Sequence, residues 1–190
     1  MQCPGVESEA AHLALPPCPA VVEVIYASAM LSRDLQRFHT AQAAADAGYE
    51  SALAEVRGAG KRSHWIWYIF PQLSGLGQSS EARRNGLAGR AEARTYVQDP
   101  LLRSHLLEIT RAVAEGLEKG APLLKLLGSP IDTLKLVSSL TLFERIAREL
   151  QTEQPNPEYA ALASVAERVL EAASAQGYPR CAFTRRALSD

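Results

Sequence analysis

Apolar residues recur every three or four positions through most of this chain, the spacing of one helical face. Leu35, Phe38, Gln42, Ala45, Tyr49, Ala52 and Val56 follow that rule. They predict a first helix that starts near Ser32 or Asp34 and ends at Gly58 or Gly60. A second clean stripe runs through Leu102, Leu106, Ile109, Val113 and Leu117, with His105 one residue off it, at its edge. Asp99-Pro100 opens that helix as cap and first-turn proline. Ser129-Pro130-Ile131-Asp132 repeats the arrangement and predicts a helix to about Leu150, with Leu136, Leu140, Phe143, Ala147 and Leu150 inward. Asn156 caps a last helix to about Gln176, with Leu162, Val165, Val169 and Ala172 facing the core, and Gly177 closes it.

Between these long stripes the pattern shortens. Ser79 or Ser80 can cap a helix beginning at Glu81, which Gly86 and Gly89 break early. Another helix covers about 91–98, and PLLKLL between Gly120 and Gly128 makes a short apolar turn. HWIWYIF at 64–70 reads as a strand by propensity or as a buried helix of about two turns; the helical surroundings favour helix, and Pro71 stops either. The expectation is an all-α fold: a compact single-domain helical bundle of about six to seven helices over residues 31–177. Residues 1–30 form a disordered Ala/Pro-rich tail, with Met30 as the expected start of the protein, and residues 178–190 form a basic, irregular C-terminal tail.

Composition agrees with helices. Of 190 residues, 47% are apolar but only 6% aromatic, so the core is built mainly from Leu, Ala and Val. The net charge of −1 excludes a general polyanion binder, and nucleic acid is not the expected partner. Locally the balance shifts: Lys61, Arg62, Arg83, Arg84, Arg90 and Arg94 are opposed only by Glu81 and Glu92. Cys3, Cys18 and Cys181 lie far apart without CxxC or zinc spacing, which predicts a reduced, cytoplasmic protein. No apolar run approaches the roughly 20 residues that span a bilayer, and no basic leader precedes an apolar stretch.

The chemically richest stretch is KRSHWIWYIFPQLSGLGQSSE, residues 61–81. Gly75 and Gly77 ahead of a helix start leave N–H groups suited to a phosphate or carboxylate, and Lys61, Arg62, Arg83 and Arg84 add charge. The same loop also reads as a plain helix–helix turn, because GxGxxG and GxxxxGK[ST] are both absent. His64 beside Trp65 and Trp67 can act as acid or base next to stacking surfaces; equally, the two indoles can be core anchors. Asp132, Lys135 and Ser139 share one helical face, as a surface ion pair or as a polar stripe lining a pocket. Ser138 and Thr141 point inward on the latter reading. GxSxG, HExxH and carboxylate-rich metal loops are missing, so neither a metal nor another cofactor is expected.

Four blocks together carry a resemblance: DLQRF at 34–38, KRSHWIWYIFPQLSGLGQSSEA at 61–82, EARTYVQDPLL at 92–102 and LGSPIDTLKLVSSLTLFE at 127–144. Over roughly residues 32–177 the chain resembles the bacterial domain-of-unknown-function family 1810. Its members sometimes carry the label calpastatin-like, which this chain does not support, having no features of the disordered eukaryotic protease inhibitor. The resemblance implies a mainly helical domain and supplies no activity. Two departures stand out: an aromatic in a YGI-like context is usual where Asn85 stands, and a TLELL-like end is usual where FTRRAL occurs at 183–188.

Two functions follow as expectations. One is binding, and possible hydrolysis, of a small phosphate- or carboxylate-bearing ligand such as a nucleotide or an ADP-ribose-like molecule. His64 and Asp132 would be its acid/base candidates. Lys61, Arg62, Trp65, Trp67, Gln72, Gly75, Gly77, Ser79, Ser80, Arg83, Lys135 and Ser139 would be its binding residues. The other is a non-catalytic protein-interaction module whose aromatic block is structural core.

Overall fold

A computed structural model of the chain describes residues 35–58 and 60–189. The N-terminal tail, Met30, Cys3, Cys18 and the start of the first helix lie outside them. The described residues are helical in α1 (35–42), α2 (Tyr49–Arg57), α3 (Ile66–Ile69), α4 (Ser80–Arg84), α5 (Arg90–Gln98), α6 (Pro100–Glu118), α7 (Leu123–Leu127), α8 (Pro130–Glu153), α9 (Pro157–Ala175) and α10 (Ala182–Ala187). The fold is all-α, as the periodicity predicts. Six of these helices have seven residues or more, the size class that a periodic pattern can register.

The three long helices start where local chemistry says they should. Asp99 Oδ1 accepts the N–H groups of Leu101 and Leu102 at 3.0 Å each. Ser129 Oγ accepts that of Asp132 at 3.1 Å, and Asn156 Oδ1 that of Glu158 at 2.9 Å. In each case proline follows at the first helical position, where no N–H is needed. Each cap is worth about 1 kcal/mol.

The long helix α8 lies at the centre, packed against α3, α5, α7, α9 and α10. Having neighbours on several sides, it buries far more than one stripe: Leu136, Leu140, Phe143, Ala147 and Leu150, and also Thr133, Ser138, Ser139 and Thr141. The hydroxyls of Thr133 and Thr141 bond back to the carbonyls four residues earlier, so these two polar groups enter the core without an unmet hydrogen bond. Tyr96 of α5 joins the two ends of the aromatic core, 5.1 Å edge-on to Phe38 and 5.0 Å from Phe143. A buried amide ties four helices together: Gln42 Nε2 donates to the Tyr68 carbonyl at 2.7 Å and the Tyr96 hydroxyl at 3.0 Å, while its Oε1 meets His105 Nδ1 at 2.8 Å.

Two expectations need correction. The first predicted helix is two, separated by a turn in which Ala47 takes a left-handed conformation with φ 57° before Gly48. Tyr68 fixes that turn by donating its hydroxyl to the Ala47 carbonyl at 2.8 Å. The C-terminal stretch is not irregular. It forms α10 and buries Thr184 and Leu188, with Thr184 Oγ1 3.1 Å from Ser138 Oγ.

Candidate functional site

The chemically rich stretch begins with a turn built around Glu55 of α2. That carboxylate accepts N–H groups from Arg62 at 2.7 Å, Ser63 at 3.1 Å and the Trp65 indole at 2.8 Å. Burial pushes its pKa upward, but these donors prevail and bring it down to about 2. The turn carries the chain through Trp65 into α3; Trp65, Ile66 and Ile69 are buried, while Trp67 and Tyr68 are only half-buried.

From the same turn Lys61 reaches α8. Its Nζ lies 2.8 Å from Asp132 Oδ2, and Lys135 Nζ lies 3.0 Å from Asp132 Oδ1. Each ammonium also sits over an indole, Lys61 at 5.2 Å from the Trp65 ring centre and Lys135 at 4.2 Å from that of Trp67. Burial opposes ionisation of Asp132, yet the two lysines win and hold its pKa below the usual carboxylate value. A carboxylate in that state is a weak base.

After Pro71 the chain makes a pinned excursion. Ser74 N–H donates to the Leu87 carbonyl and Leu87 N–H to the Gln72 carbonyl, both at 2.8 Å. Between these bonds lie the glycine loop and α4. Ser79 Oγ accepts the Ala82 N–H at 3.1 Å, as the sequence predicts. Gly77 packs so closely on α4 that a Cβ there would stand 2.5 Å from the Ala82 Cβ. Arg83 turns back onto the Gln78 carbonyl. With five residues, α4 offers a weak dipole, and the N–H groups of Ala82 and Arg83 are already taken by Ser79. The glycine loop is thus a tight turn in which two of the helix-start N–H groups are already used.

Trp67, Gln72, Gly77, Ser79 and Lys135 nevertheless converge on one cleft of about 520 Å³. Leu76, Ile131, Leu134 and Val137 make much of it apolar, and Ser138, Pro179 and Cys181 close it on the C-terminal side. The Trp67 indole N–H has no hydrogen-bond partner among the described residues. The Cys181 thiol is pushed up by burial, but hydrogen bonds involving Thr184 and Ser138 leave its pKa below the ordinary value.

The remaining expected residues lie elsewhere. Arg62, His64, Gly75 and Ser80 are exposed and do not line the cleft. Trp65 is core, and Ser139 is fully buried with a hydroxyl that has no partner among the described residues. Lys61 and Asp132 meet behind Lys135 instead of opening into the cleft. The two proposed acid/base residues thus do not face one reacting centre. Asn85, where the resembling family usually has a ring, is buried and donates to the Glu81 carbonyl at 3.0 Å; it lines a small hollow with Trp67 and Gln72. Glu55, Ile131, Leu134 and Cys181 are not among the binding residues that the sequence suggests; Ile131 carries a signal there only as part of a helix cap and Cys181 only as an isolated cysteine.

Among the described residues no three His, Cys, Asp or Glu side chains cluster as metal ligands, and no helix is long and apolar enough to cross a membrane.

The model of a family described as "Protein of unknown function (DUF1810)" matches residues 32–160. The chain is also similar to the conserved hypothetical protein Rv1873 from Mycobacterium tuberculosis, known from a crystal structure. The two are 33% identical, the match covers 82% of this chain and 94% of that one, and the TM-score is 0.59. No curated protein matches. The matched span holds Trp67, Gln72, Asp132 and Lys135 but ends before Pro179 and Cys181.

Proposed function

Because this chain belongs to the DUF1810 family of proteins of unknown function, no reaction passes to it from its relatives, and we propose that it binds a small anionic ligand, such as a nucleotide or an ADP-ribose-like molecule, in the cleft beside Trp67. One observation carries the reading: the Lys135 ammonium, held at 3.0 Å by Asp132, lies 4.2 Å from the Trp67 ring centre in the wall of a 520 Å³ cleft. A cationic group beside a flat ring and apolar walls suits a ligand with a planar part and a negative one. The volume falls in the range of about 300–1,000 Å³ typical of small-molecule sites. Gln72, Ser79 and Ser138 add hydrogen-bonding groups. Binding is favoured over hydrolysis, since His64 is in solvent and Asp132 is ion-paired.

Calorimetric titration with ADP-ribose, ADP and adenosine tests this. The anionic ligands should bind, and Lys135→Met should weaken them roughly tenfold, the scale of one charge-assisted contact. Adenosine should lose affinity in Trp67→Ala but not in Lys135→Met. Absence of binding by all three, or binding indifferent to both substitutions, would overturn the proposal.

A specific observation favours the second reading, a protein-interaction module. Trp65, Ile66, Ile69 and Phe70 are core, and Ile131 and Leu134 stand 64% and 55% exposed on the cleft rim. Failure of the titration together with retained stability in Trp67→Ala is the result that reading expects.

A further inference from the structure

We infer that the protein carries a second anion site, apart from the Trp67 cleft: an arginine-walled cleft between α5, α8 and the C-terminal segment that takes a ligand with two or more linked phosphate groups. The cleft measures about 1030 Å³. Arg90 opens α5, Arg145 projects from α8, and Arg180 and Arg185 come from the C-terminal segment; Glu144 is the one carboxylate in the lining among the described residues.

The ion pairs here orient the guanidinium groups without using them up. Glu149 accepts from Arg90 at 3.2 Å and from Arg145 at 2.7 Å, and Glu144 accepts from Arg180 at 3.1 Å. Those carboxylates are 16% and 12% exposed, whereas the three arginine side chains are 41%, 59% and 32% exposed. The guanidinium groups therefore reach farther into solvent than the acids that hold them, and of those acids Glu144 lines the cleft. A guanidinium has five N–H donors, of which a carboxylate takes one or two, so donors remain for a ligand. Among the described residues Arg185 has no ion-pair partner, and the four arginines outnumber Glu144 and Glu149.

The C-terminal segment is held in place to complete the site. Cys181 N–H donates to Thr141 Oγ1 at 3.2 Å, Ser138 meets Thr184 at 3.1 Å, and Arg90 donates to the Leu188 carbonyl. Pro179 and Cys181 line the Trp67 cleft while Arg180 and Arg185 line this one, so the segment is the partition between two sites. Guanidinium forks match phosphate oxygens in pairs. Four of them, spread over three chain stretches around so large a space, exceed what a single tetrahedral ion can reach.

The test is titration of the full chain with inorganic tripolyphosphate at low salt, with orthophosphate and a short single-stranded oligothymidylate as comparators. Tripolyphosphate should bind more tightly than either. The double substitution Arg145→Ala/Arg185→Ala should weaken it roughly tenfold or more, given charge-assisted contacts at both positions. An unchanged thermal midpoint checks that this variant folds. Trp67→Ala should leave tripolyphosphate affinity intact, which separates the two sites. No binding by the unaltered chain overturns the inference, as do equal affinity in the double variant and loss in Trp67→Ala. Orthophosphate binding as tightly as tripolyphosphate would rule out linked phosphates, and tighter oligonucleotide binding would reassign the cleft to nucleic acid.

Discussion

At Glu55 a single carboxylate gathers two backbone N–H groups and the Trp65 indole N–H, and so fixes where the chain turns from α2 into α3. Glu55→Gln keeps the shape but removes the charge from these bonds. The expected cost is about 2 kcal/mol of folding stability, read from urea denaturation near neutrality. The pH dependence has a definite sign. The folded pKa of about 2 lies below the ordinary 4.5, so Glu55 stabilises the fold above the ordinary value, and the contribution is lost as pH falls from there towards 2. The unaltered chain should lose more stability than Glu55→Gln across that window; parallel losses would show that the carboxylate is not held as described. The same reasoning explains Asp132. Two lysines and a carboxylate leave one net positive charge, and removal of Asp132 would leave two ammonium groups facing each other across largely buried space.

Among the elements, α4 and its loop depend on contact rather than propensity. Gly77→Ala would drive its Cβ into that of Ala82, and both ends of the excursion are pinned by the bonds of Leu87, so the strain has little room to relax. A loss of about 1–3 kcal/mol is expected, the usual range for overpacking, measured as a drop in the denaturation midpoint. A variant as stable as the parent would mean that α4 is free to move off the cleft. Features of this kind were poorly legible in the sequence, because they rest on what lies across the fold. Asp99, Ser129 and Asn156 could be read as caps because a cap is settled within three residues of chain. The break at Ala47 could not, since the apolar face recurs on both sides of it and only the distant Tyr68 hydroxyl holds the turn. Six-residue α10 is too short for a periodic signal, and its docking depends on Ser138 and Thr141 of α8. The cleft shows the same division. Trp67, Gln72, Gly77, Ser79 and Lys135 were legible as a chemically unusual set, whereas the outward turn of His64 and the diversion of Lys61 onto Asp132 follow from the path that Glu55 imposes.

Over the whole molecule, α8 is the element that the others share, and its central position sets how the fold should fail. It packs against α9 on one side and against α3, α5, α7 and α10 elsewhere, so both clefts take part of their walls from it. Phe143 lies near its middle, fully buried, 5.0 Å from Tyr96. Phe143→Ala removes a ring between α8 and α5 and should cost about 3–5 kcal/mol, the range for truncating a buried aromatic residue. Because α3 rests on the same helix, tryptophan fluorescence from Trp65 and Trp67 should report unfolding at the same urea concentration as far-UV circular dichroism, which reports helix content. The substitution should shift both curves together. If fluorescence changed first while most ellipticity remained, α6 and α9 would be standing without α3, and the Trp67 cleft could open independently of the rest. Coincident curves would mean that the clefts persist only while the entire bundle is folded, so that any ligand gripping either one stabilises the whole domain.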